Sequence, residues 1–244
     1  MTFLPAASRG RGLSARRATM LLLAVVAILA LGAGPAMAHN VTEGDAGYIQ
    51  EIWGVHIIPF AYLGAKHMVT GYDHLLFLFG VIFFLYGMKQ IAIYVSLFAI
   101  GHSTTMLLGV WLDFGISSYI IDAIIGFSVV YKALDNLGAF RLWFGFQPST
   151  KAATLIFGFL HGFGLASRII DYDISADGLW PNLIAFNVGV EVGQLLALAA
   201  ILVVMRHWRA TTSFARQAYA VNVLMMTAGF ALMGLQMTGY FVAV

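Results

Sequence analysis

Six apolar stretches constrain this chain more than anything else in it: Tyr72–Met88, Ile91–Leu112, Ile116–Leu134, Thr154–Ile170, Leu183–Met205 and Ala218–Val244. Each is near the ~20 residues that cross a bilayer as a helix. Lipid leaves few alternatives, because every backbone N–H and C=O must find its partner within the segment. Composition agrees, with 61% of the 244 residues hydrophobic and only 10% charged, too little polar surface for a water-soluble domain. The expected fold class is therefore all-α, a polytopic membrane protein with six transmembrane helices after a cleavable signal peptide.

The signal peptide is read over residues 1–38. Arg9, Arg11, Arg16 and Arg17 form a basic leader, Met20 to Leu31 an apolar core, and Ala36 and Ala38 in "GPAMAHN" supply the small residues of a cleavage site. An uncleaved first helix is the alternative. Cleavage would remove four of the thirteen Lys and Arg and none of the eleven Asp and Glu. A mildly acidic mature chain, residues 39–244, then holds the six-span domain and a short periplasmic amino-terminal segment, with no basic patch for nucleic acid. The absence of cysteine excludes disulfides, thiolate metal sites and cysteine nucleophiles.

Loop charges orient the spans independently. Starting outside, the cytoplasmic segments hold Lys89, then Arg141 and Lys151, then Arg206, Arg209 and Arg216, whereas the periplasmic ones hold Asp113 and the acidic turn "IIDYDISADG". This is the positive-inside bias. It places the protein in a bacterial inner membrane with both mature termini periplasmic.

Polar residues retained inside such spans mark function, since a lipid-facing ionisable group costs at least ~2.5 kcal/mol. Those found are His67, Asp73, His74, His102, Asp122, Lys132, His161 and Glu191, with the amides Asn187 and Gln194. Asn187, Glu191 and Gln194 stand at i, i+4 and i+7, read as one stripe of the fifth span. His102 and His161 lie near the middle of the second and fourth spans, each four residues after a Phe (Phe98, Phe157). The sequence thus offers three or four imidazoles and two carboxylates between the outer surface and the midplane. That donor set suits a divalent transition metal: nickel, cobalt, zinc or copper.

Structural readings compete for several of these residues. Thr70-Gly-Tyr-Asp73 fits a capping box, although capping leaves His67 and His74 unexplained. The glycines around His161 suit close helix packing, and His102 could bond a neighbouring helix. Asp122 and Lys132 read as a structural pair or as snorkelling side chains. Met68 and Met106 read as packing residues. His39 would be the new amino terminus and could chelate metal, though a chance His there is the plainer reading.

The string "HMVTGYDH" resembles the signature of the HupE/UreJ family, membrane proteins associated with hydrogenase and urease gene sets and regarded as nickel permeases. "GHSTT", "FGFLHGFGLAS" and "AFNVGVEVGQ" are similar to later blocks of that family's second branch. The resemblance implies that His67, Asp73 and His74 are metal-motif residues, that His161 belongs to the later His-Gly block, and that there is a functional link to hydrogenase or urease maturation. The chain departs from the better-studied branch at Met68, where Pro is common, and at Leu165 and Arg168, where a second His and a Glu are common. His102 and Glu191 are the candidates to replace those ligands.

The function expected is a permease, or accessory protein, for a transition metal, nickel first. His67, Asp73, His74, His102, His161 and Glu191 would hold the ion as substrate, with Asn187, Gln194 and Ser103 supporting the ligands. Two other classes stay open. Three His and a carboxylate could form an intramembrane zinc hydrolase, with Ser103 beside His102 as helper. His102 and His161 could be axial ligands of a b-type haem. No G-x-S-G turn and no phosphate-cradling G-x-x-x-x-G-K-[ST] loop occurs.

Overall fold

The computed structural model describes residues 51–114, 116–170 and 176–243. The signal peptide expected over 1–38, and His39, lie outside the described residues. Those described form eight helices and no strand: α1 (Ile57–Thr70), α2 (Tyr72–Ile82), α3 (Met88–Trp111), α4 (Ser118–Leu137), the short α5 (Ala139–Phe144), α6 (Thr150–Ile170), α7 (Leu179–Arg209) and α8 (Phe214–Ala243). Three of them, α3, α7 and α8, are long and apolar enough by themselves to cross a membrane. In α4, Asp122, Lys132 and Asp135 interrupt the apolar run, but all three are buried against the rest of the bundle.

The first apolar stretch differs from expectation. It does not begin at Tyr72: helix starts at Ile57, runs to Thr70, breaks at Gly71 and resumes as α2. The motif His67–His74 therefore sits at a break inside a longer helical passage, not at its outer end. The break is local. Gly71 has ψ 103°, an extended value that ends α1, and its N–H still bonds the His67 carbonyl at 2.9 Å.

Small residues dictate which helices touch. A Cβ on Gly193 would come within 2.6 Å of the Ala65 carbonyl oxygen, and Gly189 meets Ala61 in the same way, so α1 and α7 run side by side in the same direction. Gly158 faces the Phe98 carbonyl, Gly101 faces Leu155, and Gly162 faces His102, making α3 and α6 a second parallel pair. Gly126 against Met233 and Gly239 against Tyr119 make α4 and α8 an antiparallel pair. These three are the most extensive pairings in the molecule. Such contacts are the usual adhesive between helices in lipid, where apolar burial alone gives no preference for protein over acyl chain.

The short α2 fills the centre. Phe77, Leu78, Val81 and Ile82 pack with Val95, Phe98, Val129, Phe157, Leu198 and Met225 from five neighbouring helices. Its carboxyl end is held from α7: the Arg209 guanidinium donates to the carbonyls of Leu85 (2.9 Å), Phe83 (2.8 Å) and Ile82, and lies over the Tyr86 ring. The Ile82 carbonyl also accepts from the Leu85 N–H at 3.0 Å, and a cation at this end opposes the negative end of the helix dipole.

Candidate metal centre

The helix break decides what the "HMVTGYDH" residues can do. With Gly71 as the N-cap of α2, Thr70 is not the capping residue; its hydroxyl donates back to the Lys66 carbonyl at 2.8 Å. The expected capping box is thus absent. Asp73 instead lies in the first turn of α2 and accepts from the His74 amide at 2.8 Å and from His74 Nδ1 at 3.0 Å. Gly71 makes room for that pair, because a Cβ there would lie 2.6 Å from His74 Nδ1 and 3.1 Å from Asp73 Oδ1. The glycine of the motif is needed for space more than for an unusual φ, which is −72°.

His74 is the hub of a buried imidazole cluster. Its ring centre lies 5.2 Å from His67, 5.9 Å from His102 and 5.0 Å from His161. The four rings come from α1, α2, α3 and α6, and none is more than 7% exposed. Phe98 stacks on His102 and meets His161 edge-on, while Phe77 closes another side of His161. Two imidazoles sharing one ion at ~2.0–2.1 Å have ring centres roughly 5 Å apart, which matches the His74–His67 and His74–His161 spacings. The rings are turned edge to face, however, and among the described residues no three His, Asp or Glu already present their ligating atoms to one point.

Two hydrogen bonds bias the tautomers. His161 Nδ1 donates to the Phe157 carbonyl at 2.7 Å, and His74 Nδ1 donates to Asp73. In the neutral ring each bond leaves Nε2 with its lone pair, the form that binds a metal. A carboxylate behind a ligand histidine also fixes its orientation. Asp73 is therefore placed to act through His74.

The fifth-span stripe divides. Asn187 and Gln194 are buried but Glu191 is exposed. The buried arc of α7 follows Ala185, Gly189, Gly193 and Ala197, and a residue at i+4 from Asn187 is turned about 40° further around the helix, far enough to leave it. The structure thus does not bring Glu191 to the imidazoles. Asn187 Oδ1 accepts from Ser103 Oγ at 3.2 Å, tying α7 to α3 one residue past His102. Gln194 lines a small cavity beside His74.

Lys132 also differs from expectation. Its partner is Asp135, not Asp122, and the Asp135 carboxylate further accepts from Gln147 and, at 3.2 Å, from Thr150. Asp135 lies beyond the apolar run, which ends at Leu134, but within the helix, which continues to Leu137. The i, i+3 spacing of a Lys and an Asp was the available signal. Asp122 is buried near Gly164 of α6. A haem between His102 and His161 does not fit, because α3 and α6 touch backbone to backbone at His102 and Gly162.

Fold and site together define the class: an all-helical membrane protein whose core gathers histidines from four helices. The family can be stated as well. The HupE / UreJ protein family profile matches residues 43–244, and the chain belongs to that family. No curated protein and no solved structure matches it.

Proposed function

We propose that this protein is a permease for a divalent transition-metal ion, nickel first and cobalt next. The observation that carries the reading is the convergence of His67, His74, His102 and His161 from four helices in a buried core. Family membership supports it, since HupE/UreJ proteins are generally nickel- or cobalt-transport-related membrane proteins. In this reading the ion sheds water at His67 and His74, with Asp73 holding the His74 ring in place, and is shared with His102 and His161. Neutral imidazoles give affinity without the thiolates that would trap the ion, and a transport site must release what it binds.

The same reading counts six passes: α1 with α2 as one broken passage, then α3, α4, α6, α7 and α8. Passes one and five, and two and four, would then run alike, and three and six oppositely. The glycine contacts support this, with α1 parallel to α7, α3 parallel to α6, and α4 antiparallel to α8. The mature termini would face the periplasm from a bacterial inner membrane, and the cargo would serve hydrogenase or urease maturation.

Reconstituted vesicles test the proposal. Nickel or cobalt added outside should accumulate within, and His74→Ala should abolish most of the flux. Zinc retained at one ion per chain through chelation, with no flux of any divalent ion, would overturn the permease in favour of a hydrolytic zinc centre.

A further inference from the structure

Glu191 stands where a carboxylate is hardest to keep. It is the twelfth residue after Leu179 and the eighteenth before Arg209, the two ends of α7. At ~1.5 Å per residue those ends lie roughly 18 Å and 27 Å away, and the whole helix exceeds the ~30 Å hydrocarbon core by only about 16 Å. Glu191 therefore falls inside that core wherever α7 sits along the membrane normal. Yet its side chain is exposed, and among the described residues it makes no hydrogen bond or ion pair. An ionisable group turned to lipid at such a depth costs at least ~2.5 kcal/mol, and groups of this kind are retained facing protein or a water-filled space. Something other than acyl chains belongs on this face of α7.

The residues around Glu191 say what it is. Ile184, Val188, Glu191 and Leu195 are all exposed and follow at steps of four, three and four, the spacing with which one helix meets another along a seam. One polar residue in such a seam fixes the register of the pair. The α1 contact leaves the seam uncovered, because it uses Gly189 and Gly193 on another side of α7. A second copy of this chain meets the requirement without any further design. Copies enter the membrane in one orientation, so a two-fold axis between them runs along the membrane normal and sets α7 parallel to its counterpart. Each Glu191 then meets its own equivalent at the same depth. The carboxyl group is self-complementary, since with one proton between two of them one donates and the other accepts. An unrelated protein would need a matching group placed at that level. We propose that the protein is a two-fold dimer whose interface is the exposed seam of α7, with the two Glu191 carboxyls bonded to each other within it. The imidazole cluster lies inside each copy, so each keeps its own site.

This inference rests on α7 crossing the membrane and not on the cargo, and its readout is independent of transport. The chain has no cysteine, so Val188→Cys, Leu195→Cys and, on the exposed face of α8, Leu235→Cys would each supply the sole thiol in purified protein reconstituted into vesicles. At a low protein-to-lipid ratio, a short thiol-to-thiol cross-linker should convert most of the Val188→Cys and Leu195→Cys proteins to dimer and little of the Leu235→Cys protein. Glu191→Leu added to Leu195→Cys should lower the cross-linked fraction about fivefold or more with helical content unchanged. Glu191→Gln, which keeps a donor and an acceptor, should stay within about twofold. Equal cross-linking at all three positions would overturn the dimer, and so would its absence at both positions of α7. Undiminished cross-linking with Glu191→Leu would overturn the proposal too, by showing that the carboxyl does not hold the seam.

Discussion

At the scale of single residues, Asp73 and Glu191 show how two carboxylates in apolar surroundings part company. Asp73 is 1% exposed and bonded to the amide and ring of His74, while Glu191 lies on the outer face of α7. An Asp73→Asn variant keeps the acceptor for the His74 amide but loses the charge behind the ring. Removal of such an outer-shell partner lowers metal affinity by about 10–100-fold, and cobalt titration of the purified variant should show a loss in that range with an unchanged helical content. Glu191→Gln, measured alongside, should stay within about twofold of the unaltered protein. A larger loss at Glu191 than at Asp73 would reverse the roles assigned here. The residue types of the motif were legible in the sequence. Its division of labour was not, because that depends on where the helix breaks.

At the scale of elements, glycine placement does the organising. Gly162 faces the His102 carbonyl so closely that a methyl group has no room, whereas Gly234 of α8 has nothing within 4 Å of where a Cβ would stand. Gly162→Ala should push α3 from α6, lowering stability by about 1–3 kcal/mol, and should also weaken cobalt binding because His102 and His161 ride on those helices. Gly234→Ala should be neutral or stabilising by up to about 1 kcal/mol, the helix-propensity gain alone. Thermal unfolding in detergent measures both; equal effects at the two sites would contradict the packing described. The small-residue spacing in "FGFLHGFG" was visible beforehand as compatible with close packing. Which helix it met was decided only by the fold, since any small-residue face can accept several partners.

For the whole molecule, the paired directions of the helices and the position of Arg209 bear on topology. Arg209 reaches the end of α2 just before α3 begins at Met88, so the end of α7 and the α2–α3 turn lie on one side, the side expected to carry Lys89 and the other cationic loops. A six-pass chain beginning outside must end outside. An alkaline phosphatase domain fused after Val244 should be active in cells, and a green fluorescent protein fused there should not fluoresce. The opposite pair of results would mean an odd number of passes. Beneath this arrangement lies a polar brace, Lys132 with Asp135, Gln147 and Thr150, and Asn136 bonded to the Gly80 carbonyl and to Asn222. It ties α4, α6 and α8 together and joins them to Gly80 near the carboxyl end of α2.

What the sequence determined alone was the all-helical, membrane-type class and the family. Apolar runs of bilayer length, loop charge and rare intramembrane histidines are local properties, readable residue by residue, and the motif strings suffice for family membership. Tertiary structure decided the rest. The first passage starts at Ile57 because α1 is stabilised by α7 through Ala61, Ala65, Gly189 and Gly193, a contact across more than a hundred residues that hydropathy over Tyr72–Met88 does not contain. Glu191 and Gln194 look equivalent as a stripe. They separate because the buried arc of α7 is set by the glycines that touch α1, and the roughly 60° between them around the helix carries one side chain from the core to the surface. His74 became the centre of the imidazole cluster through the same kind of contact: the break at Gly71 and the burial of α2 among five neighbours bring its ring to within 5.0–5.9 Å of three others.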